Sequence, residues 1–397
     1  VDWNPSDPRL GNKIFLPILG DRYGRVLEAG QIEIVHQKGG FTLHYYEHRF
    51  PVAPQSLGNL LARAAEACRS DDLAFAADLL NHLPVLNISE HEHKQRRHRN
   101  MEVIRTQLRR LVEENTEIRT AIDQEIEDIN RDPDHLDRLL ESQNYQLAYW
   151  RGASQEMGYR RFFDINTLVG LRVEDETVFF DTHCLIQKWL EADILAGIRV
   201  DHPDGLRDPQ RYLERLRNLK PEGWIIAEKI LHPGERLPDT WPVEGTTGYD
   251  FMYLVGQLLI DPTGEEPLTD FYEQFSGRSG TYDEVVRDKK HQVMQDTLGG
   301  DVNHLTELLL GICQRYRRFR DYARAEVSEV LREVVACFPV YRSYVMPWHE
   351  DVRNEDRRNI VAAVERAKAS LSEDGRELIE FVQSILLLEY MGETETE

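Results

Sequence analysis

Cysteine is scarce, at 4 of 397 residues, and Cys68, Cys184, Cys313 and Cys337 stand far apart with no Cys-x-x-Cys pair. Such spacing argues against a disulfide framework or a thiolate zinc site and leaves four ordinary buried thiols as the expectation. No apolar run reaches the ~18 to 20 residues that a membrane span needs, and the polar, Pro-rich opening has no signal-peptide character, so the expected protein is cytoplasmic and meets no membrane. Positive charge is also in deficit. The 48 Lys and Arg against 70 Asp and Glu give a net charge of −22, and the densest basic run, Lys94 to Arg99, sits in a mixed-charge helix. Nucleic acid is therefore excluded as an expected partner. No clustered Asp/Asn loop argues for calcium, and no metal or other cofactor is expected. An initiating Met is missing too: the sequence opens on Val1-Asp2-Trp3 and stops in the polar string Gly392-Glu393-Thr394-Glu395, which reads as an excised piece. What is present, 41% apolar and 9% aromatic residues, suffices for a large core split over two or three structural units.

Residues 1–55 are rich in Gly, Pro and aromatics, with strand-like pieces Gln31 to Val35 and Phe41 to Tyr46 set about the turn Gly39-Gly40, and read as a small β-containing lobe. Over 56–158 the pattern turns helical. Met101, Ile104, Leu108, Leu111, Ile118, Ile122, Ile126 and Ile129 recur at helical spacing, too few unbroken heptads for a coiled coil and enough for an amphipathic helix packed on its own domain. The stretch 159–254 has a different grammar: a helix capped at Asp181-Thr182, a break at Gly197, the strand Ile198 to Asp201, a helix capped by Asp208 and begun by Pro209, then the strand Trp224 to Glu228. Helix and strand in alternation predict an α/β class with parallel strands. From 255 to 397 the chain is mainly helical again, through Leu305 to Ile312, Val327 to Val335 and Leu378 to Leu388.

Alternate strand residues share a face, so Arg199 and Asp201 point together. Asp201 and Glu228 each end a strand, one βα repeat apart, which brings both carboxylates to the carboxyl ends of neighbouring strands. In a (β/α)₈ barrel that rim is where active sites are built. Two carboxylates on strands roughly 5 Å apart suit retaining glycoside chemistry, one attacking the anomeric carbon and the other protonating the leaving oxygen. Arg199 beside Asp201 favours an ionised nucleophile, and Glu228 is left as the acid/base. Read from spacing alone, the same two residues could equally cap or salt-bridge strand ends.

Gly197-Ile198-Arg199-Val200-Asp201-His202 resembles the nucleophile strand of the α-amylase superfamily, and Ala227-Glu228-Lys229-Ile230-Leu231 resembles its acid/base strand. Together with Leu147-Ala148-Tyr149-Trp150-Arg151, Arg160-Arg161-Phe162-Phe163-Asp164-Ile165-Asn166, Gly245-Thr246-Thr247-Gly248-Tyr249-Asp250-Phe251 and Phe338-Pro339-Val340-Tyr341-Arg342-Ser343-Tyr344, these blocks are similar to the malto-oligosyltrehalose synthases, from Asn12-Lys13-Ile14 through Leu388. The resemblance implies part of an α-amylase-type barrel with large helical insertions. It also implies an isomerase that turns the reducing-end α-1,4 bond of a malto-oligosaccharide into an α,α-1,1 bond, in functional partnership with a trehalose-releasing hydrolase. Carried over by position, Asp201 is the nucleophile, Glu228 the acid/base, and Arg199, His202 and Lys229 contact substrate. Arg161 and Asp164 fit a structural pair as well as sugar ligands, His183 fits a plain helix position, and Tyr249 fits a core aromatic.

The sequence departs from that family at both ends. It lacks the early Asp-x-Val-Pro-Asn-His type segment, and the third carboxylate of the family lies beyond its end; Asp351, in His349-Glu350-Asp351, follows a different block and does not take that role. The piece is therefore expected to be inactive alone. Two other readings stand beside the isomerase: an α-glucan hydrolase of the same superfamily, and a non-catalytic glucan-binding fragment.

Overall fold

The computed structural model describes residues 13–83, 91–154, 159–348 and 351–389. Asn12, the opening and closing strings, and His349 with Glu350 lie outside the described residues. The chain divides into two compact units, with the boundary falling between Ala153 and Arg160. The expected β lobe and helical insertion thus share one unit, and the expected barrel segment and C-terminal helices share the other.

The first unit comprises β1 (Ile14–Leu19), α1 (Tyr23–Glu28), β2 (Ile32–Gln37), β3 (Gly40–Tyr45), β4 (His48–Pro51), α2 (Pro54–Cys68), α3 (Asp71–Asn81), α4 (His91–Glu114), α5 (Thr116–Arg131), α6 (Pro133–Glu141) and β5 (Tyr145–Tyr149). β2, β3 and β4 form an antiparallel meander, and β1 pairs in parallel with β5 across the whole helical stretch. The isoleucine stripe is broken at Asn115, whose Oδ1 accepts the N–H groups of Glu117 and Ile118 at 2.9 and 3.3 Å and so starts a new helix. Ile104 and Leu108 on α4, and Ile118, Ile122, Ile126 and Ile129 on α5, then bury their faces in the core of this unit. The stripe is an internal packing surface.

The second unit comprises β6 (Arg161–Phe162), β7 (Ile165–Val169), α7 (Glu176–Glu191), β8 (Gly197–Val200), α8 (Pro209–Leu219), β9 (Trp224–Ala227), β10 (Gly245–Thr246), α9 (Tyr249–Leu258), α10 (Glu265–Ser276), α11 (Tyr282–Asp296), α12 (Gly299–Cys313), α13 (Arg324–Cys337), α14 (Asn354–Lys368) and α15 (Glu373–Leu386). α7 begins earlier than Asp181-Thr182 suggests: Asp175 accepts the N–H groups of Thr177 and Val178 at 2.8 and 3.4 Å, and this cap lets Phe179 join the buried face. α8 starts as expected, with Asp208 accepting the Arg211 N–H at 3.0 Å and Pro209 in the first turn.

β8, β9 and β10 form a parallel sheet in the order β10-β9-β8. Phe179, Val200, Leu213, Leu216, Ile225, Ala227 and Trp241 pack beneath it, while α12 to α15 close around a separate core. The α/β class and parallel strands are present, whereas the expected part of a barrel is met among the described residues only by a short parallel sheet. The connection from β9 to β10 carries no α-helix, and the described residues of this unit contain a three-stranded parallel segment, not a closed (β/α)₈ barrel. The cysteines are all unpaired; Cys313 is buried and Cys68 and Cys337 half-buried, whereas Cys184 is exposed because it falls on the solvent side of α7. No helix among the described residues is long and apolar enough to cross a membrane.

Candidate active site

The site is built where β8 and β9 end. Arg199 lies opposite Ile226 and Val200 opposite Ala227, and the Glu228 N–H extends the ladder by donating to the Val200 carbonyl at 2.8 Å. The two strands meet closely because position 197 has no side chain: a Cβ there would lie 2.3 Å from the Trp224 carbonyl oxygen. Asp201 and Glu228 therefore leave adjacent parallel strands side by side, each one residue past its strand.

Arg199 bridges them, with Nη1 2.9 Å from Asp201 Oδ1 and Nη2 3.4 Å from Glu228 Oε1. A hydrogen bond with the Glu228 side chain, and after it the Arg199 guanidinium, hold the Asp201 carboxyl below its usual range. Glu228 also accepts the His202 backbone N–H at 3.1 Å on Oε2 and lies 3.5 Å from the Tyr249 hydroxyl through Oε1. The two side chains differ in exposure, at 62% for Asp201 and 21% for Glu228. The arrangement presents an exposed carboxylate, held toward its ionised form, beside a more sheltered second carboxyl group.

His202 adopts a left-handed backbone conformation (φ 45°), uncommon for a residue with a Cβ. Its ring packs against Phe162, Phe163 and Tyr341, with centroids 5.5, 5.4 and 5.7 Å away. Gly205 makes room for that ring, since a Cβ there would fall 2.5 Å from His202 Cδ2. An aromatic wall thus stands next to the nucleophile candidate.

Lys229 is placed differently from the expected sugar donor. Its side chain is 0% exposed, with Nζ 3.0 Å from Asp204 Oδ2 and 2.8 Å from Glu235 Oε1, at angles outside those of a hydrogen bond. A buried ammonium so engaged is not presented to a ligand, which corrects the substrate-contact expectation for this residue. Arg161 is structural in its contacts, donating to the Asp164 carbonyl at 3.2 Å, Asn166 Oδ1 at 2.5 Å and the Thr297 carbonyl at 2.7 Å. His183 is a satisfied core histidine, stacked on Phe179 and bonded to the Phe179 carbonyl and the Tyr212 hydroxyl.

Sequence reasoning attached no role to Asp204, Glu235, Tyr341, Arg342 or Tyr344. The Phe338 to Tyr344 block signalled that something there mattered, but only the fold brings Arg342 to the carbonyls of Asp204 and Leu206, at 2.9 and 2.5 Å, and the Tyr344 hydroxyl to Asp204 Oδ1. Among the described residues no group of three or more His, Cys, Asp or Glu is placed to hold a metal ion.

No family model matches the chain. Over 164 residues, 41% of its length, it is 42% identical to a Mycobacterium tuberculosis protein described as a maltooligosyl trehalose synthase, of which it spans 21%. In fold, 95% of the chain superposes on 36% of the maltooligosyltrehalose synthase of Arthrobacter ramosus, with a TM-score of 0.64 and 28% identity. It likewise covers 38% of a hypothetical maltooligosyl trehalose synthase of Sulfolobus tokodaii, with a TM-score of 0.55 and 25% identity. The chain thus spans about a fifth of the length of its curated relatives and little more than a third of the solved ones. By sequence and by fold together, the chain is similar to a segment of maltooligosyl trehalose synthases.

Proposed function

We propose that this chain carries the nucleophile and the acid/base of a (1→4)-α-D-glucan 1-α-D-glucosylmutase, an intramolecular transglucosylase that makes a trehalose unit at the end of a malto-oligosaccharide. The observation that carries the reading is the Asp201–Arg199–Glu228 cluster at the carboxyl ends of β8 and β9. In this reading β8, β9 and β10 belong to a (β/α)₈ barrel of the α-amylase type, whose sites lie at that end of the strands.

Asp201 attacks the anomeric carbon of the penultimate glucose as Glu228 protonates the departing glycosidic oxygen, which leaves a covalent glucosyl-Asp201 and a free reducing-end glucose. That glucose stays bound and turns. Glu228, now a carboxylate, takes the proton of its anomeric hydroxyl, which attacks the glucosyl carbon and restores Asp201. The net change is an α-1,4 bond exchanged for an α,α-1,1 bond, provided water is kept out. Arg199 keeps Asp201 ionised, and His202 with its aromatic wall borders the place where a sugar ring would lie. The trehalose-capped product is a fitting substrate for a trehalose-releasing hydrolase.

The test incubates maltopentaose with the chain alone and with the chain completed at both ends by the flanking segments of the Arthrobacter ramosus enzyme. The completed form is expected to consume reducing ends without releasing glucose, and Asp201→Asn to abolish this. Glucose or maltose as the main product would instead make the site hydrolytic. Oligosaccharide binding with no turnover in either form would make the chain a glucan-binding module.

A further inference from the structure

We propose that Lys229 is a positioning residue that locks the loop after Asp201 to the loop after Glu228 and so fixes how the two carboxyls face each other; this rests on the transglucosylase reading of the pair. Lys229 follows Glu228 directly, so any shift of its backbone moves the acid/base. Its Nζ reaches Asp204, three residues past the nucleophile, at 3.0 Å and Glu235, in the loop after β9, at 2.8 Å. Both acids are sheltered, with side chains 8% and 4% exposed.

The nucleophile loop is gripped a second time from the 338–348 segment. The Tyr344 hydroxyl donates to the other oxygen of Asp204, and Arg342 donates to the Asp204 and Leu206 carbonyls at 2.9 and 2.5 Å. The Tyr344 ring lies in turn 5.1 Å from the Arg342 guanidinium, 5.5 Å from that of Arg353 and 5.8 Å from Lys229 Nζ, and its backbone N–H donates to buried Asp356 at 2.9 Å. Each buried charge therefore faces an opposite charge or a π face.

An apolar cluster of the same volume would stabilise two loops at least as well as buried ions, whose desolvation offsets much of their attraction. What the ions add is a set distance, at 3.0 and 2.8 Å from Lys229 Nζ to the two carboxylates. An ammonium between two carboxylates sets the separation of the loops that bear them, whereas methyl groups would tolerate sliding.

A direct sugar donor and a positioning residue part company in kinetics. In the completed enzyme, Lys229→Met is expected to lower kcat by about 100-fold while KM stays near that of the parent, because misplacing reacting groups costs turnover more than binding. The acid limb of kcat/KM moves to higher pH as Asp201 loses part of its hydrogen bond with Glu228, and Lys229→Arg recovers part of kcat. Tyr344→Phe, which removes only the hydroxyl from Asp204, serves if Lys229→Met does not fold, with an expected loss in kcat of about tenfold at an unchanged melting temperature. ¹³C titration of the Asp201 carboxyl in the chain alone supplies a readout without turnover: Lys229→Met raises its pKa. A rise in KM alone makes Lys229 a substrate ligand, and folded variants with parental kcat and an unmoved Asp201 titration make it a plain buried ion; either result overturns the proposal. Activity surviving in Asp201→Asn overturns the carboxylate-pair reading instead, so the two failures are distinct.

Discussion

The first unit and the stretch from β8 to α10 are built from similarly apolar sequence yet held together differently. In the first unit α2 buries Leu57, Leu60, Leu61, Ala64 and Ala65, and α5 buries its whole isoleucine row. In the second, α9 and α10 bury no residue, although they carry Phe251, Met252, Leu254, Leu258, Phe271 and Phe275. At the amino ends of β8, β9 and β10, polar cross-links add to the apolar packing against the sheet. Arg217 donates to the Gly223 carbonyl at 2.5 Å, the Pro242 carbonyl at 2.9 Å and Glu244 at 2.7 Å, and Lys220 pairs with Asp193 at 2.5 Å. The contrast teaches that apolar residues make a core only where a second surface closes on them.

The sharpest way to break this comparison is to hollow out one core and watch both regions. Leu61→Ala, at a position with 0% exposure, is expected to cost about 2–5 kcal/mol. Calorimetry should show the loss in the transition of the first unit, while the carboxylate cluster keeps its titration; a single transition falling as a whole would show the two regions to be one cooperative body. Gly197→Ala comes next, at about 1–3 kcal/mol, because the added methyl meets Trp224 backbone that cannot swing aside. Here the loss should appear in the second unit and carry the Asp201 titration with it. Arg199→Gln is a smaller change of a different kind. A depressed carboxylate pKa contributes stability that is present above the unfolded value, 3.8, and is lost as pH falls through the folded value. Removing the guanidinium raises the folded pKa, so acid unfolding and the acid limb of turnover should both begin at higher pH. An unmoved acid limb would assign the ionisation of Asp201 to Glu228 alone.

Strand order and carboxylate placement were legible because they rest on local grammar: Asp208-Pro209 starts a helix, and alternate residues of Ile198 to Asp201 share a face. The cap of α7 was misread because Asp175 and Asp181 are equally good local candidates, and only the packing of Phe179 decides between them. The role of Lys229 was illegible for a deeper reason. A lysine after a strand reads as solvated, and its burial depends on Asp204, Glu235 and Tyr344, which sequence separation keeps apart until the fold closes. The extent of the parallel sheet was beyond reach for the same reason, since two parallel strands in sequence order do not state how many neighbours complete it.

The mildest expected effect tests the other side of the comparison. Phe275 on α10 is 82% exposed and Leu258 on α9 is 83% exposed, so in the chain alone Phe275→Ser should change stability by no more than about 0.5 kcal/mol, as for a surface position. Leu378→Ser, at a position with 0% exposure on α15, should unfold the helices around it. An apolar-binding dye should report this exposed apolar surface, and Phe275→Ser should lower the dye signal without moving the melting temperature. A fall in melting temperature as large as that of a core substitution would mean that α9 and α10 are covered in solution. Sedimentation would then show whether a second copy of the chain covers them, and the contrast with the first unit would be one of partners, not of packing.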